Sequence, residues 1–191
     1  YEGKCVQVVP HIPLYVIERI KEAGQKSDSD IVLIEIGGTV GEYENILFLE
    51  AARLMRLKYP NDVINVMVSF LPVPSKIGEM KTKPTQHAVR LANAAGIQPD
   101  VIIARSETPL DKKRKEKISL FCNINENFVI SAPDVESIYD VPVNFEKDNL
   151  SSLILKKINL KPKKTDLKEW RDLASRIKNF KERVKIGIVG K

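Results

Sequence analysis

The sequence has little of what defines several protein classes. Its two cysteines, Cys5 and Cys122, are too few for a disulfide framework and lack the spacing of metal ligands. No apolar run approaches the roughly 20 residues that span a bilayer, and no segment resembles a signal peptide. Its 43% of hydrophobic residues argues against disordered and fibrous proteins. We therefore expect a reduced, cytoplasmic protein with no membrane partner.

Positive charge is concentrated in one segment near the end of the chain. Residues 156–185 contain twelve Lys and Arg against four Asp and Glu, a local charge of +8 that exceeds the net +6 of the whole chain. A nucleic-acid-binding domain usually spreads its charge over a folded face and adds aromatic platforms. This segment has a single Trp. We interpret it as a solvated connector and expect no nucleic-acid partner.

Apolar periodicity predicts strands that alternate with helices. Short apolar runs predict strands at residues 5–9, 31–34, 63–71, 101–104 and 128–131. Helical spacing predicts helices from residue 14 to Gly24 and at 46–57, 83–95, 111–121 and 145–158. Such alternation is typical of a parallel sheet with crossover helices. The expected fold is α/β, a doubly wound, mostly parallel sheet, and ligands usually bind at the carboxyl ends of its strands.

A carboxylate and a glycine loop follow the second predicted strand. Glu35 comes at the end of that strand, and Gly37, Gly38 and Gly41 follow it. A buried carboxylate needs a partner, and Mg²⁺ prefers one or two carboxylates together with phosphate oxygens. The same pattern also fits a tight turn in which Glu35 bonds a neighbouring backbone group. The residues alone leave both interpretations open.

Two lysines stand at the predicted start of the helix at 83–95. Lys81 and Lys83 add positive charge where a helix N-terminus already offers free N–H groups, which favours an anion site. The hydroxyls of Thr82 and Thr85 could add donors, and Gln86 could contact a base or a sugar. A solvated, capped helix start would have a similar sequence, so this alternative also stays open.

A third candidate cation, Lys117, ends the charged run at residues 112–117. We interpret most of that run as a solvated helix face, but the apolar residues after Lys117 fix its backbone in packed structure. His11 and His87 have no Ser or Cys nucleophile in a recognisable motif nearby. We therefore interpret both histidines as packing or hydrogen-bonding residues.

These segments together resemble the CTP synthase family. The matching pieces are Gln-Val-Val-Pro-His-Ile at 7–12, Ile-Glu-Ile-Gly-Gly-Thr-Val-Gly at 34–41, Phe-Leu-Glu-Ala at 48–51, Gly-Glu at 78–79, Lys-Thr-Lys-Pro-Thr-Gln-His at 81–87, Gly-Ile-Gln-Pro-Asp at 96–100, and the stretches at 117–123 and 134–139. The resemblance covers essentially the whole chain in order and spacing. Lys-Thr-Lys-Pro-Thr-Gln after such a glycine loop is its most specific element.

The resemblance implies a P-loop-NTPase-like synthetase (amidoligase) domain. Family members convert UTP to CTP with ATP as co-substrate, Mg²⁺ as cofactor and ammonia from glutamine, which a covalently linked glutaminase domain hydrolyses. They are homotetramers and are inhibited by CTP. A nucleotide-sensing module that binds UTP or CTP without catalysis remains an alternative. Another ATP-dependent ligase of the same fold, similar to dethiobiotin synthetase, is a second alternative.

Site residues follow from the resemblance, position by position. Glu35 corresponds to the metal-binding carboxylate. The UTP and CTP contacts correspond to Gln7, Glu42, Tyr43, Glu44, Lys81, Thr82, Lys83, Pro84, Thr85, Gln86 and Lys117. The ATP contacts correspond to Pro133, Asp134 and Val135. Tyr43 and Pro133 depart from the residues that the family commonly has at these positions, where Ile and Lys or His are usual.

Both ends of the sequence look cut. It begins with Tyr1 rather than Met, and residues 184–191 begin an apolar strand that stops on Gly-Lys. We expect residues 1–160 to be the C-terminal portion of the synthetase domain, 161–183 an interdomain linker and helix, and 184–191 the first strand of a truncated glutaminase domain. No Gly-x-x-x-x-Gly-Lys-Ser/Thr loop occurs in the chain. In the family this loop lies in a segment before Tyr1, so we expect the chain alone to be inactive.

Overall fold

Three parallel strands form the sheet around which the chain is built. The computed structural model describes residues 2–162, 166–180 and 184–190. The strands are β1 (Val66–Phe70), β2 (Val101–Ser106) and β3 (Val129–Pro133), in the order β1-β2-β3. Ser69 is paired with Ala104, and Ala104 is paired with Ser131, so the carboxyl ends of all three strands lie at one edge. The predicted parallel α/β architecture is confirmed.

Seven α-helices accompany this sheet in the described part of the chain. They are α1 (Val8–Lys26), α2 (Ile46–Lys58), α3 (Lys83–Ala94), α4 (Lys112–Cys122), α5 (Val141–Phe145), α6 (Leu150–Lys157) and α7 (Lys168–Lys178). Helix α3 connects β1 to β2, and α4 connects β2 to β3, as the crossover pattern predicts. In the described residues, no helix combines the length and the hydrophobicity that crossing a bilayer requires.

Helices cover both faces of the sheet. On one face, Ile102 of β2 packs in a buried cluster with Val89 of α3 and Ile118 of α4. On the other face, Val101 and Ile130 form a cluster with Leu150 of α6. The alternation of side chains along β2 explains both contacts, because successive residues of a strand point to opposite faces. Each fully buried aliphatic side chain contributes about 1.5–3 kcal/mol.

The prediction of a strand at residues 5–9 is wrong. Val8 is already assigned to α1, and Val9 has extended angles (φ −111°, ψ 125°), so regular helix begins at Pro10. The fixed φ of proline suits the first turn of a helix, where its missing N–H is not needed. This local preference outweighs the β-propensity of the valines.

Residues 31–34 also form no strand, although their sequence is continuously apolar and β-branched. All four side chains are exposed, and Leu33 is 93% exposed. A strand requires a neighbour for its backbone N–H and C=O groups. Within the described residues, the sheet consists only of β1, β2 and β3, and none of these pairs with this segment. Val68 and Phe70 on one face of β1 are exposed as well.

The helix predicted at residues 145–158 is regular only over its second part, α6. Helix α5 ends at Phe145, a 3-10 turn spans Glu146–Asp148, and α6 begins at Leu150. Asn149 has left-handed angles (φ 55°, ψ 37°), which Asn tolerates better than most residues and which end a helix. The sequence gives no strong periodic signal for this break.

The end of the chain is helical only in part. The helix expected within the connector at 161–183, from residue 165 onward, corresponds to α7 (Lys168–Lys178), and residues 163–165 and 181–183 of the connector lie outside the described residues. Residues 184–190 are exposed and belong to no strand of the described part, and residue 191 lies outside it. The domain boundaries inferred from the sequence stay predictions.

Asp100 fastens the amino end of the sheet. Its side chain, 7% exposed, accepts hydrogen bonds from the backbone N–H of Asn65 at 2.9 Å, from Arg56 at 3.1 Å and from Lys157 at 3.0 Å. The ammonium of Lys157 also lies 4.6 Å from the centre of the Phe128 ring. One carboxylate thus joins α2, the start of β1, β2 and α6.

We expect Asp100→Ala to lower the free energy of unfolding by about 3 kcal/mol, because it leaves two cations without their buried partner. Urea unfolding followed by circular dichroism measures this. The control is Glu116→Ala, which removes the exposed pair with Lys112 and should cost under about 0.5 kcal/mol. Equal effects of the two substitutions would contradict the role given to Asp100.

Candidate functional site

The segment at residues 81–86 includes the start of helix α3, and it packs against strand β1. Thr85 is fully buried, and its hydroxyl lies 2.8 Å from that of Ser69 on β1. The Gln86 amide donates to the Thr82 hydroxyl at 3.1 Å, and both residues are buried. These three polar side chains therefore fix the first turn of the helix. Lys83 and Pro84 are exposed, and Lys81 is partly exposed.

Cations gather around one carboxylate at this helix start. The ammonium of Lys81 lies 2.6 Å from Glu79 Oε2, and the guanidinium of Arg114 lies 3.6 Å from Glu79 Oε1. The hydrogen bond from Lys81 holds the pKa of Glu79 below its ordinary value, and the charges of Lys81, Arg114 and Lys117 lower it further. Glu79 is therefore paired with Lys81 and Arg114, and the charge of Lys117 also acts on this carboxylate. We call Lys81, Arg114 and Lys117 the cationic cluster.

Arg114 is a member of this cluster that the sequence analysis assigned to a solvated helix face. Its side chain is only 23% exposed. Its Nε donates to the carbonyl of Met80 at 3.2 Å, which ties α4 to the chain just before Lys81. Asp111 caps α4 by accepting from the backbone N–H of Arg114 at 2.8 Å and also pairs with its guanidinium. The spacing Asp-x-x-Arg at the helix start was the available signal.

The glycine loop is held by Asn45. The amide of Asn45 donates to the carbonyls of Thr39 at 2.7 Å and Gly37 at 3.3 Å. Gly38 has a φ of +82°, and a Cβ there would lie 2.7 Å from Glu42 Oε2, so a side chain at this position would require Glu42 to move. Tyr43 is 96% exposed. The loop is a tight turn whose exposed acidic face includes Glu42 and Glu44.

Glu35 lies in a different environment from the one the sequence suggested. Because residues 31–34 form no strand, its carboxylate is exposed rather than buried at a strand end. It makes no hydrogen bond or ion pair with any residue that the structure describes. In those same residues, no three His, Cys, Asp or Glu side chains come together in a group that could hold a metal ion. The argument from a buried carboxylate is therefore wrong, and a role in metal binding stays a prediction.

The glycine loop and the lysines at the start of α3 lie at different positions along the axis of this helix. A Cβ at Gly41 would be 4.0 Å from the side chain of Leu91, which is eight residues after Lys83. At 1.5 Å per residue this is about 12 Å along the helix axis. Within the described residues, no hydrogen bond or ion pair joins Glu35 to Lys81, Arg114 or Lys117.

The remaining predicted contacts lie at two other places. Gln7 precedes α1, is exposed, and donates its backbone N–H to His11 Nδ1 at 2.9 Å. Pro133 ends β3, and the backbone N–H of Asp134 donates to the carbonyl of Ser106 on β2 at 2.9 Å. Residues 133–135 therefore lie at the carboxyl edge of the sheet, as predicted.

Helix α7 docks beside residues 133–135. The indole N–H of Trp170 donates to the carbonyl of Tyr139 at 2.7 Å, and the two rings lie 6.0 Å apart. Lys178 pairs with Asp140 at 2.9 Å, and the hydrogen bond that its ammonium donates to Asp140 raises the pKa of Lys178. The segment that was interpreted as a connector thus touches the turn that follows the edge of the sheet.

A parallel sheet whose carboxyl edge carries a helix start surrounded by lysines and arginine defines an α/β domain suited to phosphate-bearing ligands. The comparison with known families is consistent with this class. Residues 1–160 match the family model described as CTP synthase N-terminus, and the chain belongs to this family.

Curated relatives named CTP synthase match the chain over its whole length. The protein of Methanococcus maripaludis is 46% identical, that of Pyrococcus horikoshii 46%, and that of a Synechococcus species 45%. The chain spans only 36% of the length of the first of these proteins and 35% of the other two. The family assignment made from the sequence is confirmed.

The shared carboxylate provides a direct test of the cationic cluster. We expect Lys81→Met to raise the pKa of Glu79 most, because Lys81 supplies the hydrogen bond, and Lys117→Met to raise it less. NMR titration of the Glu79 side-chain carboxyl measures both shifts. Lys113→Met is the matched control on the same helix, since its charge acts on Asp111 instead. An unchanged pKa in Lys117→Met would place Lys117 away from the cluster.

Proposed function

We propose that this chain forms part of a CTP synthase, a carbon–nitrogen ligase that aminates UTP to CTP with ATP as co-substrate and ammonia from glutamine. The single observation that carries the proposal is that Lys81 and Arg114 both pair with Glu79 at the start of α3, where the charge of Lys117 also acts. Several cations at a helix N-terminus suit a triphosphate, because the free N–H groups and the side chains attract the same anion. The relatives are named CTP synthase, so we propose that the bound anion is the triphosphate of a pyrimidine nucleotide.

The pyrimidine nucleotide binds at the cationic cluster in this proposal. Lys81, Lys83 and Lys117 contact its phosphates, and Arg114 joins them. Thr82, Thr85 and Gln86 act by fixing the helix start, because their side chains are buried. The acidic turn at residues 42–44 and Gln7 complete the pocket for UTP and for CTP, which acts as the feedback inhibitor.

ATP and Mg²⁺ belong to the same proposal. Residues 133–135 contact the adenine, and their place at the carboxyl edge of the sheet suits a nucleotide. Mg²⁺ fits Glu35 as a single exposed carboxylate, since this ion takes its other ligands from phosphates and water. When bound, Mg²⁺ would neutralise charge on the transferred phosphoryl group.

The domain organisation is proposed from the sequence and the length of the relatives. Residues 1–160 are part of the synthetase domain, 161–183 connect it to the glutaminase domain, and 184–191 begin that second domain. The docking of Trp170 on Tyr139 supports a connector that is packed on the synthetase part. We further propose a homotetramer located in the cytoplasm.

The lysines give the first test of this function. In the full-length gene product, Lys81→Ala and Lys83→Ala should each raise the KM for UTP by about 10–100-fold, since a lost charged hydrogen bond costs about 1.5–3 kcal/mol. Chromatographic measurement of CTP formed from UTP, ATP and ammonia gives the kinetic constants. Lys113→Ala serves as the control. Unchanged KM values for UTP in both variants would remove residues 81–83 from the site.

The chain by itself gives a second test. Purified residues 1–191 should form no CTP from UTP, ATP and ammonia, because they contain no Gly-x-x-x-x-Gly-Lys-Ser/Thr loop for ATP. The same chromatographic assay applies, with the full-length gene product as the positive control. Turnover by the chain alone would overturn this expectation. UTP binding without CTP formation by the full-length product would favour the nucleotide-sensing alternative.

A further inference from the structure

Ser131, two residues before Pro133 on β3, is fixed through all of its polar groups. Its backbone N–H donates to Asp148 Oδ2 at 2.8 Å. Its hydroxyl accepts from the backbone N–H of Leu110 at 2.9 Å, and its carbonyl accepts from the amide of the buried Asn144 at 3.3 Å. Residues from three separate segments therefore determine where the carboxyl end of β3 lies.

Asp148 links this strand end to helix α4. Its second oxygen, Oδ1, pairs with the ammonium of Lys115 at 2.9 Å. The side chains of Lys115 and Asp148 are only 19% and 23% exposed, so solvent screens this pair less than it screens the exposed pairs of α4. One carboxylate thus holds β3 with one oxygen and α4 with the other.

The two ends of this link lie next to the two proposed nucleotide contacts. Lys115 is two residues before Lys117 on α4, and Ser131 is two residues before Pro133 on β3. A displacement of either element would move the proposed triphosphate contact relative to the proposed adenine contact. This matters because transfer between two bound substrates depends on their relative placement to within about an ångström.

We propose that Asp148 is a positioning residue that sets the spacing between the pyrimidine-nucleotide side and the ATP side of the site. The proposal rests on the proposed function. Asp148 touches neither nucleotide; it acts through Ser131 on residues 133–135 and through Lys115 on Lys117. The break between α5 and α6 has a purpose in this view, because it places Asp148 in the 3-10 turn that reaches both partners.

The chain offers a matched control in Asp100. This carboxylate also accepts a backbone N–H, that of Asn65, and pairs with cations, but it lies at the amino end of β2, away from the carboxyl edge. Substitution of either aspartate should lower the melting temperature. Only Asp148 should change how the nucleotides bind.

The experiment compares Asp148→Asn, Asp148→Ala, Lys115→Met and Asp100→Asn in the full-length gene product. Steady-state CTP formation gives kcat and the KM values for ATP and UTP, and calorimetry gives the melting temperatures. We expect Asp148→Ala to raise both KM values at least fivefold. Asp148→Asn retains an acceptor for the Ser131 N–H, so it should resemble Lys115→Met and raise mainly the KM for UTP. Asp100→Asn should leave both KM values within twofold.

The outcomes separate this inference from the function on which it rests. A wild-type product that forms CTP, together with Asp148 variants whose KM values stay within twofold, would overturn the positioning role and leave the function intact. Equal KM changes in the Asp148 and Asp100 variants would overturn it too, because general destabilisation would then explain both. A wild-type product that binds neither UTP nor ATP would overturn the proposed function and the inference with it. If Asp148→Ala does not fold, Asp148→Asn and Lys115→Met decide.

Discussion

The buried contact between the Thr85 hydroxyl and Ser69 is the constraint on which the site depends. It fastens the first turn of α3 to the carboxyl-terminal part of β1. A hydroxyl pair sealed from water is costly to separate, because each group would lose its partner without gaining solvent. The helix start therefore cannot turn to expose Thr85. Lys81 and Lys83 are left on the outer side, where Glu79 pairs with Lys81 and with Arg114.

Two carboxylates, the buried Asp100 and the partly buried Asp148, hold the sheet at its two edges. Asp100 joins elements at the amino ends of the strands, where no candidate site residue lies. Asp148 does the same near the carboxyl ends, between the proposed contacts for the two nucleotides. The chemistry of the two sites is alike, with one backbone N–H and cationic partners. Because Asp100 lies at the amino ends of the strands, it contributes to stability alone. Asp148 lies near the carboxyl ends, so its proposed role also includes the placement of the site.

The features of the fold that depend on local sequence signals were predicted correctly. Pro84 near the first turn and Gly96 just past the end marked α3 correctly, and alternation of apolar runs predicted the parallel sheet. Prediction failed where the outcome depends on distant partners. Residues 31–34 have the composition of a strand, but pairing with a neighbour decides whether a strand forms. The spacing Asp-x-x-Arg could have singled out Arg114 for its contact with Asp111, but not for its bond to the carbonyl of Met80, 34 positions away.

Glu79 is the counter-ion of the cationic cluster, and in the proposed function a nucleotide bound there would replace it. In the free chain its carboxylate compensates Lys81 and approaches Arg114, which limits the repulsion between cations at one helix end. A triphosphate carries more charge and more acceptor oxygens than one carboxylate, so it can engage Lys81, Arg114 and Lys117 together. A singly charged anion offers no such advantage over Glu79. The acidic residue therefore favours polyphosphates over simple anions, although it weakens the net attraction of the site.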